Sequence, residues 1–403
     1  MAETNRTEHG EADADIVPLR PRAQTGALDA IVVGGGAIGL ACAWRAARLG
    51  ARVRVLERER PGSGASGVAA GMLAPVGEAT WGEEELLALA RASADRWPSF
   101  AAELEADAGA EVTYRRYGAL HVALDRDEAE VLARRLELMS SLGLEAKGLR
   151  PSEARELEPG IAPSCAAAVH APGEAAVDPR TLVAALIAAL ETRGGELHAD
   201  LDVVEPLFDG DRLAGVRTAD GAEHRAAHVV LAAGCWSGAL GWLRGEARPP
   251  VRPVKGQVLT LRGAAADPVC SRMIATERVY LVPRDDGRLV VGATVEEQGF
   301  DLRVTAGGVH ELLREAYRAL PEIAELELVE TIAGMRPGTP DNAPLIGPGA
   351  HHGLLLATGH YRNGILLAPV TADAIAALLA GSDPGLDLAA FEPSRFAAVG
   401  AER

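Results

Sequence analysis

Residues 29–57, DAIVVGGGAIGLACAWRAARLGARVRVLE, leave few folds open. Asp29 to Val33 reads as a buried strand, Ala37 to Leu49 as a helix and Val53 to Glu57 as a second strand. The turn after the first strand is Gly34-x-Gly36-x-x-Gly39. Gly34 permits the tight turn, Gly36 lets a pyrophosphate approach the backbone, and Gly39 lets helix and strand pack closely. The helix N-terminus offers free N–H groups and a positive dipole end to phosphates. Glu57 ends the second strand roughly 20 residues beyond the glycines, where a carboxylate accepts from both ribose hydroxyls. A glycine turn alone is a weak sign. With strand, helix, second strand and terminal acid in order, it predicts a dinucleotide site.

At 403 residues the chain has room for two or three domains and a sizeable core. Its 48% hydrophobic and 24% charged residues fit a soluble globular protein. A net charge of −17 argues against partners such as nucleic acid or an anionic membrane surface, which call for clustered Lys and Arg. No apolar run reaches the ~20 residues of a membrane span. Cys42, Cys165, Cys235 and Cys270 show no paired spacing, which suits reduced thiols in a cytoplasmic protein and offers no metal site. Residues 1–27 are polar, contain Pro18 and Pro21, and read as a disordered tail.

Past the opening unit comes PGSGASGVAAGMLAP, Pro61 to Pro75, a run of small residues. A helix is expected from about Glu83 to Ala108, a strand near Gly118 to Leu124, and a helix from Asp127 capped by Asp127 with Glu130. Asp178-Pro179 opens another helix, with Leu182, Leu186 and Leu190 on one face. A β-rich block follows, in which VYLVPRDDGRLVVGAT is a hairpin turning at Asp285-Asp286-Gly287. Next come a helix near Val309 to Leu320, a strand from Leu326 to Thr331, and a buried strand, Gly353 to His360, running into a helix over YRNGILLAPVTADAIAALLAG, closed by Gly381. The fold class is therefore α/β. A Rossmann-like domain (28–110, 173–248 and 331–395) is interrupted by a second, α+β substrate domain (111–172 and 249–330) on a mixed or antiparallel sheet.

The fingerprint does not choose between NAD and FAD. Three features favour FAD. Ala65, Ser66, Ala70 and Gly71 supply a thin backbone for a long cofactor to lie along, with Ser66 able to donate to phosphate. The strand end Ala233-Gly234 lets a cofactor pass closely. GHYRNGILLAP would aim a helix N-terminus into the same cleft, where it would stabilise a reduced flavin. No second glycine fingerprint provides a nicotinamide site.

The blocks VVGGGAIGL, ASGVAAGML, PVKGQ, VYLVPRDDGRLVVGAT, GMRPGTPDNAPLIG and ATGHYRNGILLAP resemble the D-amino-acid oxidase superfamily of flavoproteins. Within it the chain is most similar to the bacterial glycine oxidases, from about Asp29 to Leu379. The resemblance implies flavin contacts at Ala37, Ile38, Glu57, Arg58, Ala65, Ser66, Ala70, Gly71, Met72 and Val203, and at His360, Tyr361, Arg362, Asn363, Gly364, Ile365 and Leu366. It places substrate contacts at Tyr280, Arg336 and Arg362. AGMRPG lacks the cysteine that holds flavin in related sarcosine oxidases, so the FAD is expected to be non-covalent. The resemblance further implies oxidative deamination of glycine and other small amines, dioxygen as acceptor with hydrogen peroxide formed, an imino acid feeding thiamine thiazole synthesis, and a homotetramer. A quinone-linked dehydrogenase, a sarcosine oxidase-like enzyme and a non-catalytic flavin-binding subunit are the competing readings. Arg278 and Val295 depart from the glycine oxidase pattern and leave the substrate range open.

From the residues themselves, Arg336 sits between Gly334-Met335 and Pro337-Gly338, a segment expected to turn and let the side chain project. A planar guanidinium grips a carboxylate through two parallel hydrogen bonds. Pairing with Asp341 is the alternative. Tyr280 on the hairpin could bond the same carboxylate or simply pack. Arg362 is open between flavin, substrate and helix cap. His360 reads as a hydrogen-bonded spacer rather than a base, because hydride leaves a neutral amine without one.

Overall fold

The computed structural model describes residues 28–400, so the expected tail at 1–27 lies outside the described residues. Strand β1 (Leu28–Val33), helix α1 (Ala37–Arg48) and strand β2 (Val53–Leu56) form in the order expected. β1 lies at the centre of a sheet, paired in parallel with β2 on one side and Glu223–Leu231 on the other. Glu196–His198 extends the parallel run beyond β2, and Leu354–Thr358 extends it beyond Glu223–Leu231. Strand Leu345–Pro348 closes that second edge antiparallel. Strands buried on both faces need near-continuous apolar sequence, and β1 supplies it with Ala30, Ile31 and Val32 almost fully buried.

Helices α1, Glu84–Ala108, Pro179–Thr192 and Ala368–Ala380 pack together on one face of this sheet around Trp44, Trp97, Phe100, Leu186 and Ile375. Buried polar groups in that layer are partnered, Asp107 among them. The Asp107 carboxylate accepts from Trp44 Nε1 at 2.9 Å, from Arg48 Nη1 at 3.1 Å and from Arg193. Burial pushes its pKa up, but these donors outweigh burial and hold it at about 2. The other face carries an antiparallel ribbon, Val203–Asp209 with Arg212–Thr218, continued from Glu223–Leu231.

The second sheet has the strand order Glu327–Gly338, Arg252–Arg262, Arg288–Gly292, Tyr280–Pro283, Met273–Ala275, Ala119–Ala123, Ala167–Ala171 and Lys147–Leu149. Its pairs are antiparallel except Met273–Ala275 with Ala119–Ala123. Helix Ala306–Ala319 packs on this sheet through Leu312, Ala316 and Ala319. Between the two sheets, Val68 and Ala70 of the small-residue run meet Val258, Met273, Val282 and Val290. The buried Arg284 of the hairpin fastens that run by donating to the Ala70 carbonyl.

Three local expectations are corrected. The cap of helix Arg126–Ser141 is Asp125, which accepts from Glu128 N–H at 2.9 Å, rather than Asp127 with Glu130. Glu128 in turn accepts from Leu124 N–H, one residue before the cap, at 2.7 Å. The last helix begins at Ala368, not near Tyr361. Gly359 and Tyr361 have positive φ, and residues 361–367 form turns before Pro369 enters the first helical turn. Arg336 lies in a strand, not a turn, opposite Val254. Glu327–Gly338 is the edge strand of its sheet, where Pro337 is tolerated because its missing N–H faces away from the ladder.

Candidate active site

A single elongated cavity of about 430 Å³ runs from the carboxyl end of β1 and β2 to the face of the second sheet. Its first stretch is backbone. Gly34, at φ +113°, approaches strand Glu223–Leu231 so closely that a Cβ would lie 2.5 Å from the Ala232 carbonyl oxygen. Gly39 does not line the cavity, and a Cβ there would meet the Gly34 carbonyl oxygen at 2.0 Å, so its part is to seat α1 on the strand. Glu57 Oε2 accepts from Gly35 N–H at 2.6 Å and Oε1 from Glu59 N–H at 2.9 Å, which fixes the carboxylate at the strand end. Gly36, Ala37, Ile38, Arg58, Ala65, Ser66, Ala70, Gly71, Met72, Val203, Ala233 and Gly234 line the same stretch. Ser66 Oγ accepts from Ala37 N–H at 2.9 Å, so the hydroxyl caps a helix donor expected to be free and turns its own proton elsewhere. Arg58 stacks over the Trp236 ring at 4.7 Å, a wall that the sequence reading missed.

The far stretch is built from side chains. Residues His360 to Leu366 cross the cavity as a turn, and beyond them Tyr280, Arg336 and Arg362 come together. Two glycines make room for them. A Cβ at Gly256 would stand 2.4 Å from Arg336 Nη1, and one at Gly292 would stand 2.4 Å from the Tyr280 hydroxyl. Arg336 Nη1 donates to Thr294 O at 3.1 Å and Lys255 O at 3.4 Å. Asp341 pairs instead with Arg395, at 2.8 Å, and among the described residues Arg336 has no carboxylate partner. A guanidinium so held, with part of its fork uncommitted, has the chemistry to receive a carboxylate. Burial raises the Tyr280 hydroxyl above its ordinary pKa, against a lowering pull from Arg336 and with a further push from Glu78. It stays protonated and able to donate.

Arg362 lies 5.1 Å over the Tyr361 ring, and its Nη1 is 4.0 Å from Glu78 Oε2. Glu78 also lines the cavity and escaped the sequence reading, although it follows the small-residue run by only three positions past Pro75. Gly256 and Gly292 escaped it too, despite lying inside the PVKGQ and VVGAT blocks. His360 is buried, its Nε2 is 2.9 Å from Thr371 Oγ1, and burial pushes it down to about 3. It is neutral and engaged, a spacer. None of the four cysteines lines the cavity, and no helix is long and apolar enough to cross a membrane, among the described residues.

Sheet, glycine turn and cavity together define a dinucleotide-binding class of protein, with a cavity that continues to the face of a second sheet. The chain belongs to the FAD dependent oxidoreductase family, DAO, whose sequence profile matches residues 29–378. The glycine oxidase of Geobacillus kaustophilus is 35% identical over 369 residues, covering 91% of this chain and 97% of that one. Its crystal structure superposes with a TM-score of 0.85 over 91% of this chain and 98% of the other. The glycine oxidase of Pseudomonas aeruginosa is 37% identical over 90% of this chain and 98% of its own. The bifunctional protein ThiO/ThiG of Trichormus variabilis is 34% identical over 91% of this chain and 55% of its own. The protein is thus an FAD-dependent enzyme. The residues fit that cofactor: Gly34, Gly36 and Ala37 bring backbone to the cavity wall at the start of α1, and the Glu57 carboxylate is held at the end of β2 on the same lining, where it could accept from a ribose.

Proposed function

We propose that this enzyme oxidises glycine and other small amines bearing one carboxylate, sarcosine and small D-amino acids among them. The observation that carries the reading is the pairing of Arg336 and Tyr280 at the end of the cofactor cavity, each in space cleared by a glycine. Identity to glycine oxidases over nine-tenths of the chain supports the choice of glycine. Arg336 takes the substrate carboxylate through its free donors, and the Tyr280 hydroxyl donates to the same group. Their fixed positions orient the substrate Cα toward the cavity stretch crossed by residues 360–366, which turns a bimolecular encounter into a positioned one. No side chain is called on as a base at Cα, in keeping with a neutral, hydrogen-bonded His360.

When bound, FAD would supply the two-electron redox chemistry, with dioxygen as the final acceptor and hydrogen peroxide as its product. Water then converts the imino acid formed from glycine to a 2-oxo acid and ammonia, while that from sarcosine would release methylamine. Where a thiazole-forming partner is present, the imino acid itself is the product handed on, a role that the ThiO/ThiG relative supports. An oxygen-electrode screen of the purified chain with glycine, sarcosine, D-alanine and D-proline tests the proposal. Glycine-dependent oxygen uptake with stoichiometric peroxide is expected. Uptake at background with all four, from an FAD-saturated preparation, would sink it and favour a dehydrogenase or a non-catalytic flavin subunit.

A further inference from the structure

Beside Glu78, where Gly77, His121 and Arg135 also line the cavity, lies a buried acid–imidazole pair that the reaction above does not use. Glu174 is 1% exposed and His121 is 5% exposed, with His121 Nε2 and Glu174 Oε2 3.7 Å apart. Neither of those two atoms has a hydrogen-bond partner. Buried polar atoms are seldom left without a partner unless the surrounding structure holds them there. Both side chains press on one peptide. Glu174 Oε1 accepts from Gly77 N–H, and Arg135 of helix Arg126–Ser141 donates to the Gly77 carbonyl. A Cβ at residue 77 would lie 2.4 Å from His121 Cε1. The same turn is closed by Glu78 N–H donating to Ala74 O at 3.0 Å.

Gly77 immediately precedes Glu78, whose carboxylate faces Arg362 across 4.0 Å. The turn comes from the first domain, while His121 and Arg135 come from elements of the second. We propose that His121, Glu174 and Arg135 form a positioning clamp on the Gly77 peptide that holds Glu78 against Arg362, and that this clamp restricts the site to substrates with a single carboxylate. This rests on the carboxylate-binding part of the reading above. The charge count gives the reason. Arg336 and Arg362 bring two positive charges to bear around Tyr280 and Glu78 cancels one, while Arg278 and Glu277 on the same lining offset each other. One substrate carboxylate is balanced; a second meets the acid and is repelled. Were the turn free, Glu78 could swing toward solvent and the site would hold two uncompensated guanidinium groups.

The test uses the FAD-loaded full chain and reads two things. Hydrogen exchange over residues 74–80 reports the clamp, and titration of the flavin absorbance with acetate and with malonate reports selectivity without turnover. In Glu174→Ala, exchange over 74–80 should rise, and malonate should tighten relative to acetate by about tenfold, the size of one partly screened charge interaction. Glu174→Gln keeps an oxygen acceptor and should stay near wild type in both. Glu78→Gln should shift the malonate-to-acetate ratio without changing exchange. If Glu174→Ala does not fold, Gly77→Ala carries the same two expectations. Unchanged exchange overturns the clamp, and faster exchange with an unchanged ratio overturns its link to selectivity. A wild-type chain that binds acetate yet oxidises no glycine refutes the proposed reaction alone, because both readouts here are of binding.

Discussion

The two ends of the cavity use glycine for opposite purposes. At the cofactor end, Gly34 and Gly39 bring backbone against backbone, so the main chain itself is the binding surface. At the substrate end, Gly256 and Gly292 are empty places on neighbouring strands into which the Arg336 guanidinium and the Tyr280 ring fit. One end recognises a constant ligand with N–H groups and a dipole; the other recognises a variable one with side chains that selection can exchange. Loss of a glycine should therefore have different consequences at the two ends.

The largest effect should come from removing the side chain that the second kind of glycine accommodates. Arg336→Leu should lower kcat/KM for glycine by about a thousandfold, about 4 kcal/mol, as expected for losing one partner of a buried charged pair. The purified variant should remain yellow, since the cofactor end is untouched. Activity within tenfold of wild type would show that the carboxylate is gripped elsewhere.

Gly34→Ala should act at the other end. With φ at +113° and the Ala232 carbonyl 2.5 Å from the new Cβ, strand or turn must move. FAD affinity, measured by recovery of flavin fluorescence on dilution, should fall by about a hundredfold. A variant that binds FAD normally would remove the distinction between the two ends.

Gly256→Ala and Gly292→Ala sharpen it. Both should bind FAD as wild type does. The first displaces a guanidinium and should cost about a hundredfold in kcat/KM; the second displaces a hydroxyl and should cost about tenfold, mostly in KM. If either variant instead loses flavin, the glycine serves the cofactor after all.

That contrast also explains what could be read in advance. The βαβ unit is legible because its parts are contiguous: each glycine's neighbours are within the same stretch of chain or in the strand it adjoins. Asp178-Pro179 and Gly381 are legible as helix ends for the same reason, and Asp178 does accept from Arg180 N–H at 2.9 Å. Arg336 looked like a turn residue because Pro337-Gly338 is a local turn signal. Only pairing with residues 252–262 makes it a strand, and that pairing spans most of the second sheet's sequence. The clearance for Tyr280 across from Gly292 is set by register between two strands, which no local pattern encodes. Glu78 belongs with these: its position depends on His121, Arg135 and Glu174, brought from three other segments.

The smallest predicted effect concerns the proton on Tyr280. Burial raises its pKa, and Arg336 only partly offsets that. The donor form is the protonated one, so acetate binding to the FAD-loaded enzyme should persist through the range near 10 in which an ordinary tyrosine ionises, and weaken only above it. Tyr280→Phe should lack that alkaline limb and bind acetate about fivefold more weakly at neutral pH, the worth of one net hydrogen bond. Flavin absorbance titrations against pH supply both numbers. A wild-type midpoint below 10 would mean that the guanidinium outweighs burial, making the substrate end wetter than its lining suggests. A phenylalanine variant that keeps the limb would assign the proton to another group. Either result would shift recognition at this end from a paired guanidinium and hydroxyl to Arg336 alone.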